Sequence, residues 1–189
     1  MVSGQTGPTA ARKDYARKLA DRGYNVLLVD GNDMFNRSGQ ATRNFNDAMS
    51  LLLGSPSSTT PKAAVIGFSL GGGATLLHAV HRSEQVSMAI TYYPTTAWIP
   101  NIDALAGRIS VPLLLLAAEK DTYKDCCPID RARQIKQAAD ARGKTVELVT
   151  YPDADHGFDL PGGAFRRSDS EDAWKRSTEM LARLHPVQP

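Results

Sequence analysis

The stretch Gly67-Phe68-Ser69-Leu70-Gly71 has the G-x-S-x-G pattern and lies where an apolar run ends and a helical segment begins. In that setting the serine is a candidate nucleophile, projected from a sharp and strained strand-to-helix turn. Its neighbours two positions away must be small enough for strand and helix to approach, and Gly67, Gly71, Gly72 and Gly73 meet that need. The turn also puts Ser69 at a helix N-terminus, where free backbone N–H groups stabilise developing negative charge. The N–H of Leu70 is the first such donor. A glycine-rich turn of this kind can instead hold a phosphate, but this one contains neither Gly-Lys-Ser/Thr nor G-x-G-x-x-G.

A serine nucleophile needs a base, and the chain has only four histidines. His78 and His81 fall on the helix leaving the turn, pointing along its flank, and His185 falls in the C-terminal tail. His156 lies in Tyr151-Pro-Asp-Ala-Asp-His-Gly-Phe, a polar loop just past an apolar run, at the sheet edge where α/β sites form. The orienting acid should close another strand on that edge. Asp121, three residues beyond the run 113–118, is the leading carboxylate, with Asp125 and Glu119 as competitors and a solvated loop charge as the ordinary alternative for all three. The order Ser69, Asp121, His156 is the Ser, acid, His order of α/β-hydrolases and differs from the two common serine-protease orders.

The elements that must position these residues are legible in the hydropathy pattern. Apolar runs at 25–29, 63–68, 88–93, 111–118 and 145–151 alternate with amphipathic segments, which predicts five mostly parallel strands with helices on both faces. Helices are expected over 9–22, stopped by Gly23, over 70–81, and over 129–142, stopped by Gly143. A further helix over 38–53 is more weakly patterned, and the Ser/Thr-rich stretch 54–61 between prolines reads as a loop. Ser168 and Glu171 have the spacing of a capping box opening the last helix, which would turn Trp174, Met180, Leu181 and Leu184 to the core. No repeat or linker divides residues 1–189, so one α/β domain is expected. No strand precedes the first helix.

Composition narrows the function classes. The 22 Lys+Arg and 20 Asp+Glu leave a formal charge of +2, too thin for a dedicated nucleic-acid surface. No apolar stretch approaches the ~18 residues of a membrane span. No basic or apolar leader is visible, so a cytoplasmic protein is expected. Cys126 and Cys127 are adjacent, where a mutual bond is rare, so buried thiols in a reducing compartment are expected. No Cys/His cluster has zinc spacing, and neither metal nor organic cofactor is expected.

Together, Gly67-Phe-Ser-Leu-Gly-Gly, Ala118-Glu-Lys-Asp121 and Tyr151-Pro-Asp-Ala-Asp-His156-Gly-Phe resemble the dienelactone hydrolase family. The likeness covers nearly the whole chain. Asp14-Tyr-Ala-Arg-Lys-Leu-Ala-Asp-Arg-Gly-Tyr-Asn-Val-Leu is similar to that family's segment after its oxyanion loop. The resemblance implies an α/β-hydrolase fold and esterase-like activity without a cofactor. By analogy it assigns the second oxyanion donor to Gln5 N–H, in a loop surviving as Ser3-Gly4-Gln5-Thr6-Gly7.

The chain also departs from the family pattern. Lactone-opening members typically use cysteine where this chain has Ser69, which favours general esters. They place an arginine one turn after the histidine, whereas Asp159 lies in that region here, with Arg166 and Arg167 farther along. The central strand that leads into the oxyanion loop is missing or shortened to Met1 and Val2. Direct pairing of the flanking strands, a partner chain as in a homodimer, or a longer parent protein would each fill the gap. Tyr93, Trp98 and Phe158 are candidate walls for an apolar substrate, with ordinary packing as the alternative. The expected activity is hydrolysis of small esters or lactones. An acyltransferase or peptidase using the same residues, and a degenerate hydrolase serving as an interaction module, are the alternatives.

Overall fold

Four of the apolar runs form one parallel sheet in the computed structural model, which describes residues 1–35 and 39–187. The strands are β1 (Ala63–Phe68), β2 (Val86–Tyr92), β3 (Leu113–Ala118) and β4 (Val146–Tyr151), ordered β1-β2-β3-β4. Each pairs in parallel with the next, with Phe68 opposite Tyr92, Tyr92 opposite Leu116, and Ala118 opposite Tyr151. Because order in the sheet follows order in the chain, connections of one hand put every crossover helix on the same face. Those helices are α4 (Leu70–His78), α5 (Ile102–Arg108) and α6 (Ile129–Asp140), joined there by α3 (Gln40–Leu53). The opposite face is covered by α1 (Ala10–Ala20) and α7 (Arg167–Leu184). A four-residue turn of helix, α2 (Gly31–Met34), precedes α3.

Strand alternation divides the core accordingly. Val65, Ala89, Leu113 and Leu115 pack with Phe45, Leu76 and Ile135 on the crossover side. Ile66, Phe68, Ile90, Tyr92, Leu114 and Leu116 pack with Tyr15, Leu19, Met180 and Leu181 on the other. The helix ends agree with the sequence signals in part. Thr9 caps α1 through its side chain, and α6 stops just before Gly143. The expected capping box of α7 does not form: Arg166 takes the cap position without a side-chain cap bond, and Ser168 Oγ donates to Asp169. Arg166 Nε also reaches Asp169, at 2.5 Å, so Asp169 is already engaged by its own turn. The helix over 38–53 is present from Gln40, and Ser38 lies outside the described residues. The helix after the serine ends at His78, three residues short of the expected end.

The expected strand at 25–29 forms no ladder. Only Val29 is bridged, and its partner is Val2, which also bridges Gly67 in parallel. Met1 to Ser3 thus form a short wedge between residues 27–29 and β1. Val2 N–H donates to Ile66 O, Phe68 N–H to Val2 O, Ser3 N–H to Val29 O and Val29 N–H to Met1 O. The flanking segments do not close directly on each other. A cleft of about 380 Å³ opens where the wedge ends, between Tyr24 to Leu27 on one wall and Lys62 to Ala64 on the other. No helix among the described residues is long and apolar enough to cross a membrane.

Candidate active site

The turn after β1 holds Ser69 at φ +52°, ψ −114°, a backbone conformation that costs a non-glycine residue about 1–3 kcal/mol. The surroundings enforce it. Ser69 N–H donates to Tyr92 O, and its carbonyl accepts from Thr95 N–H and Gly73 N–H. A Cβ on Gly67 would lie 2.3 Å from Gly71 O, and one on Gly71 would lie 2.3 Å from Ser3 O and 2.4 Å from Val2 O. The glycines therefore serve two contacts: strand against helix, and helix against the Met1–Ser3 wedge.

Residues from three strand ends meet here. Ser69 Oγ lies 2.8 Å from His156 Nε2, and His156 Nδ1 lies 2.8 Å from Asp121 Oδ2. Asp121 is fully buried at its side chain and also accepts from Tyr123 N–H, which fixes its rotamer. The competing carboxylates turn elsewhere, Glu119 to Arg133, while Asp125 sits exposed in the following turn. The other histidines are engaged away from Ser69: His78 against Phe45, His81 with Arg108, His185 with Ser87 and Tyr24.

His156 is held between two tyrosines. Tyr123 stacks on its ring at 4.6 Å between centroids and an interplanar angle of 13°, and Tyr93 meets it edge-on at 4.7 Å. Tyr93 is itself part of a buried charge cluster that sequence reasoning missed. Arg12, from α1, donates to Asp159 at 2.5 and 3.1 Å and to the Tyr93 hydroxyl at 2.5 Å, and Tyr93 donates to Asp159 at 2.5 Å. The Arg12 guanidinium also lies 3.7 Å over the ring of Phe68, the residue before Ser69. Burial works against the Arg12 charge, but Tyr93 and Asp159 outweigh it and its pKa is raised. Burial first, and then the Asp159 charge, hold the Tyr93 phenol well above its usual range, so it stays a neutral donor. The cluster joins residues 12, 93 and 159, so no local pattern announces it. The one available signal is Asp159 standing where an arginine is expected.

On the far side of Ser69, Gly4 is close enough that a Cβ there would sit 3.4 Å from Ser69 Cβ. Gln5 follows, its carbonyl accepting from Asn32 Nδ2 and its side chain from Lys124 Nζ. Leu70 begins α4.

The expected substrate walls fare differently. Trp98 is 59% exposed and tilted against Phe35. Phe158 is fully buried among Tyr92, Tyr93 and Tyr151, so it supports Tyr93 and presents no surface to a ligand. Tyr93 is likewise buried, its hydroxyl engaged by Arg12 and Asp159 and its ring T-shaped to His156. Arg166 and Arg167 are taken up by carboxylates of their own region, Asp169 and Glu171. The expectation of free thiols is corrected. Cys126 and Cys127 are joined as a disulfide, and both are buried.

Comparisons with known proteins bear on the family and the fold. The model of the dienelactone hydrolase family matches residues 31–185. A Methylorubrum extorquens protein provisionally named a carboxymethylenebutenolidase is 27% identical over 193 residues, covering 87% of this chain and 64% of its own. A Salmonella typhi protein of the same provisional name is 28% identical, covering 79% and 52%. The chain thus spans about half to two thirds of the length of these relatives. Among solved structures, a Klebsiella pneumoniae protein provisionally named a dienelactone hydrolase superposes with a TM-score of 0.81 at 22% identity, covering 96% of this chain and 85% of its own. At these identities the likeness to solved structures shows the α/β-hydrolase fold.

Proposed function

The chain belongs to the dienelactone hydrolase family, and from that premise we propose that it is a serine hydrolase cleaving small carboxylic esters or lactones through an acyl-serine intermediate. The observation that carries this reading is the unbroken series Ser69 Oγ, His156 Nε2, His156 Nδ1, Asp121 Oδ2, with 2.8 Å at each hydrogen bond, built on a strained serine. His156 takes the Ser69 proton as Oγ attacks the carbonyl carbon. Asp121 holds the Nδ1–H tautomer and stabilises the imidazolium that forms. The tetrahedral oxyanion is received by Leu70 N–H, with Gln5 N–H as the second donor. The carbonyl then re-forms, the C–O bond to the leaving alkoxide breaks, and His156 returns the proton to that oxygen. In a lactone the released hydroxyl remains tethered to the acyl group. Water repeats the sequence in reverse to free Ser69.

Small substrates suit this site, because the connection from β2 to α5 beside Ser69, residues 93–101, is short. Relatives named carboxymethylenebutenolidase and, in Thermobifida, cutinase support a hydrolase reading. The test is hydrolysis of p-nitrophenyl acetate by the chain and by Ser69→Ala, both shown to be folded by circular dichroism. The variant should lose about 10⁴-fold or more in kcat. A folded wild type with no turnover, or a variant as active as wild type, overturns the reading.

A further inference from the structure

After β3 the chain passes Asp121, turns through the left-handed region at Lys124 (φ +51°) and Asp125 (φ +50°), and returns with Cys126 and Cys127 beside the Asp121–His156 pair. One ligand-capable atom from each of Asp121, Cys126, Cys127 and His156 lies within 4.8 Å of the others. The two sulfurs are buried, and Cys127 Sγ is 3.8 Å from Thr95 Oγ1, next to the loop whose N–H holds the Ser69 carbonyl. While the sulfurs are bonded to each other they cannot ligate a cation. Once separated they are two thiols beside an imidazole and a carboxylate, a borderline-soft donor set that suits zinc or cadmium far better than magnesium or calcium. Tetrahedral zinc with ligand distances of about 2.0–2.3 Å sets its ligands roughly 3.3–3.8 Å apart. The present spread of up to 4.8 Å is about 1 Å wider than this, and the two sulfurs, now bonded, would open toward it.

We propose that Asp121, Cys126, Cys127 and His156 form a reduction-dependent site for a thiophilic divalent cation, and that filling it silences Ser69. A dithiol reductant supplies two electrons and two protons. The Cys126–Cys127 bond breaks, two thiols form, and the reductant closes to its own cyclic disulfide. Metal binding then displaces the thiol protons to solvent, and a His156 ring nitrogen gives its lone pair to the cation. An imidazole held in this way no longer accepts the Ser69 proton, and Asp121 no longer orients it. The inhibitory half of this inference rests on the proposed hydrolase reading. The binding half does not.

The experiment separates the two. The whole chain is reduced with dithiothreitol, desalted without oxygen, and titrated with Cd²⁺ while thiolate-to-cadmium charge-transfer absorbance is followed. Parallel samples receive Zn²⁺ and are assayed with p-nitrophenyl acetate. Reduced protein should develop the band at one Cd²⁺ per chain and, with Zn²⁺, lose about 10²-fold or more in rate, the share a general base supplies. Oxidised protein and Cys126→Ser/Cys127→Ser should show no band, and each should keep its own metal-free rate when Zn²⁺ is added. Absence of the band in reduced protein overturns the site, whatever the activity. Equal Zn²⁺ inhibition of the double-serine variant overturns the role of the thiols. A band in a protein that never hydrolyses the ester supports the site and strikes only the hydrolase reading.

Discussion

The two sides of Ser69 are built by different means. On the His156 side, the supports stand on the ends of fully laddered strands and are locked by a buried ion pair linking residues 147 positions apart in the chain. On the Gln5 side, the loop hangs from the three-residue wedge Met1 to Ser3, held by four backbone hydrogen bonds and by the absence of side chains on Gly31 and Gly71. The proposed proton-handling half is therefore preorganised by packing and charge. The proposed oxyanion half is preorganised mainly by how closely backbone can approach backbone, with exposed side-chain bonds from Asn32 and Lys124 to Gln5. The first kind of support fails when a partner is removed, the second when an atom is added.

Arg12→Met tests the first side and should have the largest effect on stability. It leaves Asp159 buried without its cation, a loss of about 3–5 kcal/mol in denaturant unfolding. Arg12→Met/Asp159→Leu should recover most of that, because an apolar pair of similar volume is often neutral in such a place. If the single variant unfolds at the wild-type midpoint, the cluster does not hold the His156 side.

Gly71→Ala tests the other side. Its Cβ must displace Ser3 O and Val2 O, carrying the wedge and Gln5 away from Ser69. Loss of one oxyanion donor lowers kcat by about 10²–10³ with KM nearly unchanged, and ester kinetics read it directly. An unchanged kcat would remove Gln5 from the site.

The pH dependence of stability offers a milder probe of the wedge. In the 189-residue chain the Met1 amine donates to Leu27 O at 2.6 Å, and burial lowers its pKa from 8.0 to about 5. Between those values the unfolded chain binds a proton that the folded chain does not, so stability falls as pH drops from 8 toward 5. Thermal unfolding across that range checks the sign, and acetylating the amine should flatten this part of the profile.

The smallest effect is expected outside both regions. Asp172 accepts from Tyr151 and Arg176, tying α7 to β4. Burial opposes its charge, but bonds to Arg176 and Tyr151 outweigh that and lower its pKa, so its contribution is present at neutral pH and lost in acid below the usual carboxylate range. The pair is partly exposed, so Asp172→Asn should cost less than about 1 kcal/mol and leave ester kinetics untouched.

Residues 69, 121 and 156 were readable because each follows an apolar run that announces a strand end, and a parallel sheet collects such ends on one edge. The sheet itself was readable for the same reason in the runs 63–68, 88–93, 111–118 and 145–151, each within two residues of its strand. Residues 25–29 misled because an apolar run records a preference for burial, here only half met, whereas a ladder needs a neighbour. That neighbour is too short. The capping box at Ser168 misled because Asp169 and Arg166 compete for the same turn. Phe158 follows a candidate base in sequence yet points into the core, and nothing in residue spacing reports direction at a loop.

The sequence by itself determined the fold class, the family and the order of the three candidate catalytic residues, because these depend on periodicity and on short local patterns. Only the tertiary structure decided that Arg12, Tyr93 and Asp159 form one buried cluster, that Cys126 and Cys127 come to lie against Asp121 and His156, and that Met1 to Ser3 wedge between β1 and residue 29. These are long-range contacts among residues whose local sequence is ordinary. Their energetics come from exclusion of water where elements distant in the chain meet.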